Sequence, residues 1–454
     1  MAPYERSATT RRAPDLPPKL PVRALRAGRS LLGYFLGTAA IGLLTLLLVP
    51  AYVLSAGASA WGAIAVSQSL GALAAVIVGW GWPLDGPVKI ARHPPASVPS
   101  FYFYTVRFRL TAIAATTFLG VPLAITMTGV SSAALAAASF LSTATIGLTS
   151  RWLFVGLGKP YTLLLLELTT RVLSMIVAVG WLYAGGDVVV ALTMQSGGNL
   201  LCFVATSVLL AVSARRRAQQ VNTGREPLQS RWMDRNQLHN AASLTIAALF
   251  TTLPVVVVGF VAPQSLASFA LVDRVLRQVT TAISPLSQWI QQRSASIGAT
   301  DPLGASRSAL RLAVATSGVL VLTAYLLGGP AFQYLGAGEV AVTATEVLAF
   351  SLLVGLLSLD LVLSRSIVPI MGLAPALSRG SAAGFAIGVV AAGAGARFFG
   401  AVGGLLGVAL GLCTRVAWVL VSYGRATPRM PVAPREASPQ GDNENNQGEG
   451  GTPK

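Results

Sequence analysis

The stretch ALVDRVLRQVTTAISPLSQ, from Ala270 to Gln288, sets Asp273, Arg274, Arg277, Gln278, Thr281, Ser284, Pro285 and Gln288 at steps of three and four residues. The positions between them are Leu, Val, Ala and Ile, so the polar groups share one face of an apolar helix. A guanidinium in an apolar setting grips phosphate or carboxylate oxygens in pairs. One carboxylate cannot neutralise both arginines, which favours the wall of a polar cavity open to an anion. An Asp273–Arg277 pair that only ties helices together is the plainer alternative. Glu167 and Arg171 repeat the theme four residues apart, in the favoured order for an ion pair on a helix. For them a structural pair and a cavity role stand level. Gln68 and Arg415 are two more polar side chains in apolar surroundings that fit a cavity lining. For Arg415, snorkelling to the membrane edge competes with that role. Asp360 with Arg365 reads as a structural pair.

These groups need elements that shield them from water. The chain of 454 residues is 53% hydrophobic and 11% charged, and its mean hydropathy is +0.65. A water-soluble domain carries about 25% charged residues. The sequence therefore predicts an all-α polytopic membrane protein. Twelve candidate spans follow: 31–54, 62–82, 108–126, 132–153, 161–183, 188–212, 241–260, 265–288, 310–328, 342–363, 382–396 and 402–421. A charge at the bilayer centre costs at least about 2.5–3.5 kcal/mol on insertion scales, so the polar residues of the eighth span must face protein or water.

Net charge is +17, and its placement is topological. With the N-terminus inside, basic residues crowd the inner loops, while the six outer connections hold only Arg397. Nucleic-acid binding is not expected from such a distribution. Trp80 and Trp82, followed by Gly and Pro and then by Lys89 and Arg92, read as interface anchors at a helix end. The expected organisation is a basic cytoplasmic arm (1–30), a six-helix lobe (31–213), a cytoplasmic linker (214–237), a second six-helix lobe (238–424) and a disordered cytoplasmic tail (425–454).

The two halves resemble each other. SRWLFVGLGKP (Ser150–Pro160) and SRSIVPIMGLAP (Ser364–Pro375) both run Ser-Arg, apolar residues, Gly, then Pro. Each falls at the inner link between the fourth and fifth spans of its half, and Pro50 and Pro254 sit late in the first. Six is an even number, so a parallel 6+6 repeat is predicted, with two bundles about an axis along the membrane normal and a cleft between them.

No Walker motif appears, and His93 and His239 show no metal or catalytic spacing. Cys202 and Cys413 form no metal-spaced pair. Neither an enzyme nor a metal or other cofactor is expected.

VPAYVLSAGASAWGAIAVSQSLGALAAVIVGWGWPLDGPVKIAR (Val49–Arg92) resembles the first two helices of Wzx-type polysaccharide-biosynthesis flippases, in the superfamily of multidrug extruders and lipid II flippases. Pro50, Trp61-Gly62 and the stretch Gly79 to Gly86 carry the likeness. Arg151–Arg171 is similar to that family's fourth-to-fifth helix link, and Ala270–Gln288 to its eighth helix. The resemblance implies export of an undecaprenyl-diphosphate-linked oligosaccharide across a bacterial plasma membrane by alternating access, with both termini cytoplasmic. It implies a cationic cavity, whose basic residues Arg274, Arg277 and Arg171 match. The residues themselves add Gln68, which aligns with Arg274 in the repeat, Gln278 and Arg415 as cavity candidates and Glu167 or Asp273 for coupling. Implied partners are membrane lipids, the lipid-linked glycan, a polysaccharide polymerase and glycosyltransferases. A multidrug or cation antiporter of the same superfamily is the alternative, weakened because residues 31–54 hold no carboxylate.

Overall fold

The computed structural model describes residues 20–92, 97–128, 132–220, 235–298 and 301–427, and these are helical throughout apart from short links. The arm up to residue 19, the linker over 221–234, the tail from 428 and His93 lie outside the described residues. So do the side chains of Ser284, Pro285, Gln288 and His239.

Nine helical stretches among the described residues are long and apolar enough to cross a membrane. Two of them are of double length. A straight helix over Ala39–Gly79, 41 residues, would measure about 60 Å, twice the hydrocarbon thickness. It belongs to α1 (Leu20–Gly79), which is broken by a non-helical Gly57 with φ 80°. At the other end of the chain α14 (Ala374–Ala426) is broken at Gly400, with φ 61°. Glycine is the residue that reaches such φ values without steric cost. The two arms of α14 close on each other through glycines. A Cβ on Gly395 or Gly403 would collide with the carbonyl of the other, and Gly384 and Gly388 abut Gly411 in the same way. Between these two lie α10 (Leu266–Gly298), 33 residues, which is as long as its neighbours but carries the polar stripe that hydropathy alone passes over. Each double-length helix gives two crossings, and with α10 the described residues hold the twelve expected segments. The first helix begins at Leu20, eleven residues ahead of the expected span.

The remaining elements are α2 (Trp82–Arg92), α3 (Val98–Thr128), α4 (Ala133–Ala144), α5 (Arg151–Gly156), α6 (Pro160–Glu167), α7 (Leu173–Tyr183), α8 (Val188–Gln220), α9 (Arg235–Val261), α11 (Pro302–Leu335), α12 (Ala344–Val362) and α13 (Val368–Met371). Helices α3, α4 and α6 to α8 pack on α1, while α5 packs on α2 and α6; α9 to α14 form a second group. The two groups meet chiefly where α1 lies on α9 and α10, and α2 and α3 also touch α9. Outward faces are apolar: Phe118, Phe260 and Phe398 are 79%, 76% and 78% exposed. Lipid leaves such a surface without penalty, whereas water would not.

The sequence repeat has a backbone counterpart. A 3₁₀ turn (Thr145–Leu148) interrupts the helix before Ser150-Arg151, and a π turn (Leu363–Ile367) carries Ser364-Arg365. Seven residues after each arginine the chain turns at a left-handed glycine, Gly158 (φ 63°) and Gly372 (φ 65°). Pro160 and Pro375 then open the next helix, where a missing N–H costs nothing.

Trp82 departs from the expected anchor role. Its ring is 0% exposed and lies 5.3 Å from Phe101 and 6.1 Å from Trp152. The short helix α2 takes Trp82 into a protein core with Phe101, Tyr102 and Trp152. Arg109 also lies inside the protein, 0% exposed within α3, although basic residues were expected in the inner loops.

Candidate functional site

The seam between the two groups of helices contains a cavity lined from both sides. The second arm of α1 contributes Trp61, Ala65, Gln68, Ser69 and Ala72, and α10 contributes Ala270, Asp273, Arg274 and Arg277. Thr143 of α4 and Val255 of α9 complete it. The three-to-four spacing on α10 aims its charged residues at one wall, as the sequence predicts.

Asp273 accepts from Arg277 Nε at 2.7 Å, and Arg277 also donates to the Thr251 carbonyl at 2.6 Å. Arg277 is thereby held by its own helix and by α9. Arg274 is different. It forms no ion pair among the described residues, and its Nε is buried without a hydrogen-bond partner. The nearby phenol of Tyr52, from the first arm of α1, is an electrostatic neighbour of Arg274 and accepts a hydrogen bond from the Gln195 amide. Gln68 donates from Nε2 to Ser142 at 3.3 Å, while its Oε1 is buried and unpaired, as is Trp61 Nε1. Two donors and one acceptor without protein partners therefore line one cavity. Buried polar atoms are nearly always paired, so three orphans in one place describe a site for a polar guest.

The guest they suit has acceptor oxygens for Arg274 and Trp61 and a donor for Gln68. A phosphate ester carrying hydroxyls has both. Asp273 balances one of the two arginines, which leaves the site cationic. In this conformation the cavity measures about 50 Å³, far below the roughly 300–1,000 Å³ of an occupied ligand pocket. The seam is packed on both sides of it. At one end Leu266 lies directly on Gly62 and Gly259, and further along α10 Gln278 meets Gly42. At the end bearing the basic loops, fully buried Gln237 donates to the Trp80 carbonyl and accepts from Lys89 Nζ at 2.9 Å.

Four residues singled out in the sequence thus meet at the seam: Arg274, Arg277, Asp273 and Gln68. Gln278 lies on the same seam beyond the cavity lining. Arg171 and Glu167 lie elsewhere, inside the first group. Glu167, 1% exposed, holds Arg151 at 2.8 Å and Arg171 at 3.1 Å, and Arg171 Nε donates to Asn199 at 2.9 Å. Arg415 also lies away from the cavity, paired with Asp360 at 3.0 Å and donating to Ser364 at 3.2 Å. The sequence had suggested Arg365 for Asp360; Arg415 reaches it across the bundle. Trp61 entered the sequence reading only through the family likeness, and Tyr52 and Thr143 carried no signal there.

Sequence comparison finds no family model and no curated protein that matches. Among solved structures, the chain is similar to the lipid II flippase MurJ in an inward closed conformation, at TM-score 0.57 and 12% identity, over 87% of each chain. It is also similar to a eukaryotic MATE transporter, AtDTX14, at TM-score 0.51 and 14% identity, over 89% of this chain and 99% of that one. At such identities the likeness is one of fold, and the fold is that of the MATE and MurJ membrane transporters.

Proposed function

We propose that this protein is a flippase that moves a polyprenyl-diphosphate-linked oligosaccharide across a bacterial plasma membrane by alternating access, for surface polysaccharide assembly. The observation that carries the reading is Arg274: a half-buried guanidinium, its Nε enclosed, without a protein partner in a cationic cavity between two bundles. A diphosphate takes the donors of Arg274 and Trp61, and sugar hydroxyls take the Gln68 carbonyl. The cavity is too small for this cargo as it stands, so the bundles part to admit it. Opening at the Gln237 end exposes the arginines to one side of the membrane; opening at the Gly62–Leu266 end exposes them to the other. In this reading the basic end is cytoplasmic, the arginines hold the phosphates and nothing is cleaved.

A deletion strain tests the function. Lipid-linked sugar on the two membrane faces is compared with an impermeant oxidant. Loss of surface polymer with intermediate trapped on the inner face is the expected result. Arg274→Ala with Arg277→Ala should fail to restore export while inserting normally. Normal glycan in a drug-sensitive strain would overturn the reading in favour of an antiporter.

A further inference from the structure

The two arms of α14 part near the basic end and leave a groove of about 800 Å³. Gly372, Pro375, Ala376 and Arg379 form one wall, at steps of three and four residues. Thr414, Ala417, Trp418, Val421, Ser422 and Arg425 form the other, one continuous helix face. The floor is closed where Gly380 meets Trp418 and Gly384 meets Arg415.

The walls are small and apolar, and Trp418 is half exposed over them. Arg379 and Arg425 are both exposed, and neither has an ion pair or a side-chain hydrogen bond among the described residues. No acidic side chain lines the groove. The groove belongs wholly to the second bundle and shares no residue with the seam cavity. An apolar trough between membrane helices, with two uncompensated guanidinium groups at the end that bears the basic loops, has the shape and charge of an anionic lipid.

We propose that this groove binds an anionic phospholipid of the surrounding bilayer, its phosphate between Arg379 and Arg425 and an acyl chain along Ala376, Ala417 and Val421. Trp418 lies against the glycerol region, where an amphipathic ring is at home. This lipid is a resident of the leaflet at the basic end and is separate from the transported cargo.

The full-length protein, purified in a mild detergent, is titrated with phosphatidylglycerol and with phosphatidylcholine, and bound lipid is read by native mass spectrometry. Phosphatidylglycerol should be retained in preference to phosphatidylcholine. Arg379→Ala with Arg425→Ala should weaken that retention about 30-fold, at roughly tenfold or less per arginine, while Arg379→Lys with Arg425→Lys keeps most of it. Arg397→Ala, on the same helix pair at the opposite end, should have no effect. Melting in phosphatidylcholine nanodiscs confirms that each variant is folded. Equal retention of the two lipids, an unaffected double alanine variant, or an equal loss with Arg397→Ala would each overturn the proposal.

Discussion

Two arginines of the same membrane interior have opposite surroundings. Arg109 is fully enclosed within the first group of helices. It donates to the Leu148 carbonyl at 2.8 Å, to Ser150 at 3.1 Å and to Thr105 at 3.1 Å, and the rings of Tyr102, Trp152 and Phe203 stand 5.2–5.9 Å from its guanidinium. Arg274 lies between the two groups with its Nε unused. A charge drawn from water without a carboxylate is costly, wholly so for Arg109 and partly for the half-buried Arg274; the first is met by neutral acceptors and π faces and the second is left to a guest. The contrast separates an arginine that builds a bundle from one that serves the gap between bundles.

Substitutions sharpen the contrast. A loss of stability as large as any is expected for Glu167→Gln. Arg171 then sits in a nearly buried pocket without its anion. The Arg151 side chain, 38% exposed, is screened by solvent, so the cost in chemical denaturation is about 3 kcal/mol, the low end for a broken buried pair. Arg109→Met should match it at about 3 kcal/mol, because the Leu148 carbonyl and the Ser150 and Thr105 hydroxyls lose a buried donor. Transport by these two variants should fall only as far as the folded fraction does. Arg274→Ala should do the reverse. Its melting midpoint in detergent stays near that of the parent, while export falls about 10- to 100-fold, the worth of a charged hydrogen bond of about 1.5–3 kcal/mol. A mild effect is expected for Gln237→Ala, which unties the basic end of the seam. Thiol labelling of a cysteine placed at Ser69 should quicken severalfold, with stability changed by about 1 kcal/mol. Faster unfolding of Arg274→Ala than of Arg109→Met would break the distinction between the two arginines.

The fold was largely legible in the sequence because the bilayer imposes its length on every helix. Twelve apolar runs, the polar stripe on α10 and the glycines seven residues beyond Arg151 and Arg365 are local patterns, and local patterns survive into the structure. The site was legible only where one helix carried it. Asp273, Arg274 and Arg277 share a face by spacing alone, and Gln68 stood out as a polar side chain in an apolar span. Arg171 and Arg415 show where the reading stops. Each is an arginine in an apolar span, as Arg274 is, but whether a carboxylate reaches it depends on how helices turn towards one another. Asp360 meets Arg415 from another helix, and no spacing along the chain encodes that meeting. Trp82 fails for a related reason: its residue type suits an interface, but α2 folds it against Phe101 and Trp152.

The central claim is that Arg274 keeps its donors for an anionic cargo. Binding of a short-chain polyprenyl diphosphate to the detergent-purified full-length protein, measured for the parent, Arg274→Ala and Arg109→Lys, tests it most directly. The account predicts an affinity lower by about 10- to 100-fold for Arg274→Ala, with an unchanged melting midpoint, and near-parental affinity for whatever fraction of Arg109→Lys is folded. Parental affinity in folded Arg274→Ala would contradict it.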